Sequence, residues 1–115
     1  MDATNIISRH VIYRKRYYFR VLASTHNRRC KLGKRLSGYD LWKLYKKQRG
    51  KCVLTGKKLN KGNISLDHIV SVYTGGTNDL DNLRFIDIKV NVMKNILGDA
   101  EFLSLCEEVI NYTKK

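Results

Sequence analysis

Alternating hydrophobic and polar positions predict two well-defined helices in this chain. The first begins after Ser37, whose hydroxyl can form a capping box with Asp40, and it ends at Gly50. The second begins at Asp99, and its apolar residues recur at spacings of three and four. That stripe, which we expect to pack into the core, consists of Phe102, Leu103, Cys106, Val109 and Ile110.

Short apolar runs between these helices predict strands. Residues 52–54 and 64–66 flank a turn-rich link, which indicates a hairpin. Residues 83–86 indicate a further strand that leads into a helix over about 87–97. A polar loop with two glycines covers 72–82 and separates these units. The expected fold class is therefore α+β.

The segment 11–22 is compatible with two structures. Its apolar residues share one parity and its arginines the other, which suits a strand. A helix that starts near Arg16 and runs to Gly33 fits the same residues. Both alternatives stay open, and in both the segment presents a basic side.

The distribution of charge indicates the kind of partner. The chain has 115 residues and a formal net charge of +13. Residues 1–51 hold 15 lysines and arginines with only Asp2 and Asp40, whereas residues 52–115 are neutral. Such one-sided charge is costly by self-repulsion, so it favours a nucleic acid over an anionic membrane or an acidic protein.

Two further features bear on the protein's surroundings. No apolar stretch approaches the ~18 residues of a membrane span, and no signal-peptide pattern opens the chain. The three cysteines, Cys30, Cys52 and Cys106, form no C-x-x-C pair, so we expect reduced thiols. We therefore expect an intracellular protein.

One pair of residues carries candidate chemistry. Asp67 and His68 stand side by side at the end of an apolar run. Alone, an Asp-His pair is weak evidence, because such a histidine usually makes only a surface hydrogen bond. Two glycines at 75–76 allow a tight loop after it, Asn82 follows 14 residues after His68, and Asn91 nine residues later.

This combination resembles the HNH nuclease family, whose fold is the ββα-metal (His-Me) finger. The resemblance covers residues 41–97 and includes the segment 50–56 and Lys94. Asn91 stands where many members have histidine, so the chain resembles the HNN variant. The resemblance implies a ββα-metal finger flanked by helices, with a basic N-terminal extension.

The resemblance also implies the roles of individual residues. His68 matches the general base, since an imidazole accepts a proton near neutral pH. Asp67 and Asn91 match the metal ligands, and Asn82 matches the residue that holds the loop and the base in orientation. An amide oxygen suits Mg²⁺ or Mn²⁺ better than Zn²⁺. We expect no structural zinc, because Thr55 stands where relatives have the second cysteine of a knuckle.

The implied activity is hydrolysis of DNA phosphodiester bonds that leaves 5′-phosphate and 3′-hydroxyl ends. We expect a homing-type endonuclease of a phage-infected bacterial cytoplasm or an organelle; a phage packaging or restriction nuclease is an alternative. A non-catalytic DNA- or RNA-binding protein on the same scaffold, or a ribonuclease, shares the charge signature.

We divide the chain into a basic nucleic-acid-binding extension, 1–36, and an HNH domain with a C-terminal packing helix, 37–115. We expect the protein to act as a monomer on double-stranded DNA, with His10 and His26 at the surface or on phosphates. The cations expected to contact phosphates are Arg14, Lys15, Arg16, Arg20, Arg28, Arg29, Lys31, Lys34, Arg35 and Lys94.

Overall fold

The computed structural model describes residues 17–114. The fold is α+β, as predicted, with a two-stranded sheet and helices around it. Its elements are helix α1 over 17–29, α2 Gly38–Lys47, strand β1 Ile64–His68, strand β2 Leu83–Asp87, α3 Ile88–Lys94 and α4 Asp99–Thr113, with single 3₁₀ turns at Val72–Thr74 and Leu80–Asn82.

The sheet joins different segments from those that the apolar runs predict. β1 pairs antiparallel with β2, from Ile64 opposite Asp87 to His68 opposite Leu83. The predicted hairpin between 52–54 and 64–66 is wrong. Residues 53–55 form a turn, in which the Gly56 amide donates to the Cys52 carbonyl at 2.9 Å. β1 therefore finds its partner across the long loop.

The predicted cap of α2 is confirmed. The Asp40 amide donates to the Ser37 hydroxyl and the Ser37 amide to the Asp40 carboxylate, both at 3.1 Å. The helix ends at Lys47, and the chain then turns through positive φ angles of 56° at Arg49 and 67° at Gly50.

α3 follows β2 without a linker. Asp87 caps it by accepting from the Lys89 amide at 2.8 Å. The helix is shorter than the predicted 87–97 because Asn95, with a φ of 52°, ends it after Lys94. A strand that passes directly into a helix holds the helix close to the sheet.

α1 confirms the helical alternative over its described residues, and it belongs to the main core. Phe19 and Ala23 are buried together with Leu41, Phe85 and Ile86. The rings of Phe19 and Phe85 lie 5.6 Å apart. The core therefore crosses the predicted division between residues 36 and 37, and the described part of the basic half packs against the sheet.

The predicted burial of the last helix is wrong for Leu103, Val109 and Ile110. Phe102 is 7% exposed, whereas Leu103 is 53%, Val109 62% and Ile110 47% exposed. The apolar spacing identifies one face of a helix but not what covers that face. Neither α4 nor another helix within 17–114 is long and apolar enough to cross a membrane.

The cysteines are free thiols, as predicted. Cys30 and Cys52 are buried, and Cys106 is half-buried on α4. The Cys52 sulfur accepts from the Asp87 amide at 3.3 Å. This thiol therefore ties the turn around residues 53–55 to the junction of β2 and α3.

Candidate active site

Three of the predicted site residues meet in one open cleft. β1 ends with Asp67 and His68, and α3 packs against both strands and carries Asn91. These side chains line a cleft of about 180 Å³, which Ser71 and Tyr73 also border. The fold thus brings together a carboxylate, an imidazole and an amide, although 24 residues separate Asp67 from Asn91 in the sequence.

Asp67 is buried and held by two cations. Only 3% of the residue is exposed. Its Oδ2 accepts from Arg84 Nε at 2.9 Å, and its Oδ1 accepts from Lys94 Nζ at 3.2 Å. A buried carboxylate is costly unless it is paired and hydrogen-bonded, and both conditions are met here.

The hydrogen bond of His68 identifies its tautomer. Its Nε2 lies 2.7 Å from Oδ1 of Asn78. The Asn78 amide nitrogen donates to the carbonyls of His26 and Cys30, at 3.1 and 3.3 Å, which fixes the orientation of the amide. Because an amide oxygen only accepts, His68 Nε2 carries the proton in the neutral form of the ring, which leaves the lone pair of that form on Nδ1.

Asn78 is the site residue that the sequence did not reveal. It is 1% exposed, and it joins the imidazole of β1 to the end of α1. The sequence does show that the loop holds two asparagines, Asn78 and Asn82. The family resemblance identified only Asn82 as a site residue. A local pattern does not show which of two loop amides reaches a histidine on a strand.

Asn82 holds the loop rather than the imidazole. Its Oδ1 accepts from the Val70 amide at 2.8 Å, and its Nδ2 donates to the carbonyls of Val70 and Thr77 at 3.1 and 2.8 Å. Gly76 is required in this loop, since an added Cβ would lie 1.8 Å from the Val70 carbonyl oxygen. Asn82 fixes the loop, and Asn78 within that loop fixes His68.

Asn91 faces the cleft with its amide oriented by the sheet. Its Nδ2 donates to the Ser65 hydroxyl at 3.0 Å and to the Leu66 carbonyl at 3.4 Å. Within 17–114 its Oδ1 accepts no hydrogen bond. The carbonyl end of the side chain is therefore the end left for a ligand in the cleft.

Lys94 is not on a phosphate-binding surface, and this part of the prediction is corrected. The residue is 1% exposed, and its ammonium binds Asp67 and the His68 carbonyl, at 3.2 and 3.5 Å. Its position on α3, one turn after Asn91, points it at the carboxylate because α3 follows β2 directly. Its charge acts on Asp67.

His26 is half-buried and lies beside His68, which corrects the expectation of a surface or phosphate-contacting histidine. α1 places the two imidazole ring centres 5.7 Å apart. Burial, followed by the charges of His68 and Arg29, lowers the pKa of His26 from 6.5 to about 4. His26 is thus a neutral imidazole near neutral pH, packed behind the His68 ring.

The other predicted phosphate contacts are available to a ligand where they are described. All six described members of the set are exposed: Arg20, Arg28, Arg29, Lys31, Lys34 and Arg35. Lys34 lies 3.6 Å from the Asp40 carboxylate but keeps 58% of its side chain exposed. Arg14, Lys15 and Arg16 lie outside the described residues.

No protein-family model matches this chain, and a search of the curated proteins found no match either. Within 17–114, no three side chains of His, Cys, Asp or Glu are grouped as metal ligands. Asp67 and Asn91 are the two predicted ligands that the cleft brings together, and a metal ion held by them would need further oxygen ligands from solvent or substrate.

Proposed function

We propose that this chain is a divalent-metal-dependent endonuclease of the HNN type that hydrolyses phosphodiester bonds in double-stranded DNA. The observation that carries the proposal is the meeting of Asp67, His68 and Asn91 in one cleft. The order β1, loop, β2, α3 agrees with that of a ββα-metal finger. The products would carry 5′-phosphate and 3′-hydroxyl ends, and a homing role is the biology we favour.

His68 is the proposed general base. Its Nδ1 holds a lone pair, and its Nε2–H is directed at Asn78 Oδ1, so the ring is held in the tautomer that accepts a proton. Nδ1 would take a proton from the water that attacks phosphorus. Asn78 would then continue to accept from Nε2 while the imidazolium exists, which stabilises the charged ring.

Asp67 and Asn91 are the proposed ligands of Mg²⁺ or Mn²⁺, and their chemistry fits the ion. Asn91 has its amide oxygen free within the described residues, and a carboxylate offers about four lone-pair sites. Arg84 and Lys94 each use one of these sites on Asp67. When bound, the ion would stabilise the negative charge of the phosphate and of the leaving oxygen.

The two cations on Asp67 also set an expectation for the affinity of the metal. They share the charge of the carboxylate and repel a divalent ion at short range. We therefore expect weaker Mg²⁺ binding than at a site of two unpaired carboxylates.

The exposed cations would hold the DNA backbone. If all six described members of the set contact phosphates, they contribute about −5 to the slope of log affinity against log salt. Nothing in these side chains reads base edges, so this contribution is independent of sequence.

The test is cleavage of supercoiled plasmid by the full chain. We expect cleavage with Mg²⁺, none in excess EDTA, and a loss of about 10²–10⁴-fold in His68→Ala. Asn91→Ala should also lose cleavage, whereas Asn111→Ala, an exposed asparagine of α4, serves as the matched control. Undiminished cleavage by His68→Ala in EDTA would refute the proposal.

The pairing of Asp67 with Arg84 and Lys94 favours a second candidate, a DNA- or RNA-binding protein that does not cleave. In that case the carboxylate would serve only to hold the two cations. Tight binding of DNA without cleavage under either Mg²⁺ or Mn²⁺ would select it. Parallel digestion of labelled RNA and DNA separates a ribonuclease from both candidates.

A further inference from the structure

A second polar-aromatic surface lies where α1 and α2 meet. Arg20 of α1 and Gly38, Tyr39 and Trp42 of α2 line an open pocket of about 350 Å³. The helices approach closely at Gly38, where an added Cβ would lie 2.9 Å from the Arg20 backbone. The absence of a side chain at Gly38 therefore allows the backbone of α1 at Arg20 to approach α2.

The rings in this pocket are stacked and accessible. Tyr39 and Trp42 have ring centres 6.0 Å apart and planes 30° from parallel. Tyr39 is 64% exposed, and Trp42 is only partly buried against the core.

Cations surround the rings. Lys46 Nζ lies 4.5 Å from the centre of the Trp42 ring, and Lys43 Nζ lies 5.3 Å from that of Tyr39. Within the described residues, Lys43, Lys46 and Arg20 form no salt bridge with an acidic side chain. Arg20 also lines the pocket, and its guanidinium lies 5.6 Å from the centre of the Tyr17 ring. Positive charges beside exposed aromatic rings complement a ligand that has both phosphates and planar rings.

We propose that this aromatic-cationic pocket, formed by Arg20, Tyr39, Trp42, Lys43 and Lys46, binds an unpaired nucleobase and its flanking phosphates. Aromatic side chains stack on bases of any type, and the cations neutralise the backbone beside them. A duplex hides the faces of its bases, so the occupant is a single-stranded or unpaired segment. The proposal rests on the proposed function only in that the substrate is a nucleic acid.

The chain contains a single tryptophan, so emission from Trp42 reports on this pocket directly. The full chain is titrated in EDTA with three probes: a 16-nucleotide oligothymidylate, an abasic strand of the same length, and a blunt duplex. We expect oligothymidylate to quench the Trp42 emission. We also expect it to bind about 5- to 150-fold more tightly than the abasic strand, because stacking of one base contributes a free energy of that size. Equal affinity and equal quenching for the oligothymidylate and abasic strands would overturn the proposal.

Tyr39→Ala keeps the fluorescent residue and should weaken oligothymidylate binding by about 5- to 150-fold. Tyr112→Ala, on α4 and 76% exposed in the wild type, is the matched control and should bind as the wild type does. Wild-type affinity in Tyr39→Ala would also overturn the proposal. Because EDTA prevents metal-dependent cleavage, failure here leaves the plasmid result unaffected, and the two proposals fail separately.

Discussion

Asp67 and Arg84 face each other across the antiparallel pair, and Arg84 Nε donates to Asp67 Oδ2 at 2.9 Å. The same guanidinium makes two hydrogen bonds to Asp99, at 2.8 and 2.6 Å. One side chain thus joins the proposed metal ligand to the first turn of α4. The position of the Asp67 carboxylate depends on this cross-strand contact as well as on β1 itself.

Arg84→Gln should destabilise the protein by about 3 kcal/mol near pH 7, because it leaves Asp67 as a buried carboxylate with one partner fewer. Urea unfolding measures the change. Arg28→Gln, an exposed α1 residue, is the control and should change stability by less than about 0.5 kcal/mol. An Arg84→Gln protein as stable as the control would show that the guanidinium does not stabilise this carboxylate.

The same substitution should have a smaller effect in acid. The hydrogen bonds from Arg84 hold the pKa of Asp99 below its ordinary value. A depressed carboxyl pKa stabilises the fold above the unfolded pKa, and that stability is lost as pH falls through the folded pKa. The difference between wild type and Arg84→Gln should therefore shrink as pH is lowered from 7 towards 3. A difference that is constant over this range would contradict the assignment.

Asn78→Ala should lower kcat by about 10²-fold with little change in DNA affinity. The substitution frees the His68 ring, and small misplacements of a reacting group have costs of this size. Single-turnover cleavage and a binding titration in EDTA separate the two quantities. Both Asn78→Ala and the comparison variant Asn82→Ala should lower thermal stability, but only Asn78 contacts the His68 ring. An Asn78→Ala protein with normal kcat would remove Asn78 from a positioning role.

The lowered pKa of His26 predicts a loss of folding stability in weak acid. The pKa of His26 is about 4 in the fold, compared with an ordinary value of 6.5 in the unfolded chain. As pH falls, the unfolded chain therefore binds the proton first. Stability contributed by neutral His26 is thus present above pH 6.5 and is lost as pH falls from 6.5 towards 4. Urea unfolding at pH 7 and at pH 5 measures how much the free energy of unfolding falls between the two. That decrease should be about 1–2 kcal/mol smaller in His26→Gln than in wild type. Identical losses would contradict the partial burial of this imidazole beside His68.

The salt dependence of DNA binding tests the exposed cations of the N-terminal half. The double variant Arg28→Gln, Lys31→Gln removes two proposed phosphate contacts and should reduce the slope of log affinity against log salt by about 1.8. Lys114→Gln removes one exposed charge after the last turn of α4, away from the proposed contacts, and should leave the slope unchanged. Equal slopes for all three proteins would place the DNA elsewhere.

The parts of the fold that depend on neighbouring residues in the sequence could be predicted. The Ser37 cap depends on residues three apart, and residues 64–66 of β1 form a short apolar run, so both were predictable. The partner of that strand was not, because turn residues around Gly56 resemble a hairpin whether or not a strand follows them. Pairing across the loop is a long-range choice that the local pattern does not contain.

The candidate site divides in the same way. Asp67, His68 and Asn91 were identified by their spacing and resemblance, and the fold brings them to one cleft. The roles of Asn78, His26 and Lys94 depend on which side chains meet across α1, the loop and α3, so residue type alone did not indicate them. Lys94 was predicted to contact phosphate because it lies on a basic chain, whereas in the fold it is buried and donates a hydrogen bond to Asp67.

Chemical rescue of the general base tests the central claim most directly. Truncation of His68 to glycine should abolish plasmid cleavage in Mg²⁺, and added imidazole should restore it, because free imidazole can occupy the vacated space and accept the proton. Asp67→Ala should remain inactive at the same imidazole concentration. Restoration in His68→Gly alone is the result we expect. Cleavage by His68→Gly that equals wild type without imidazole would contradict the assignment of His68 as the base.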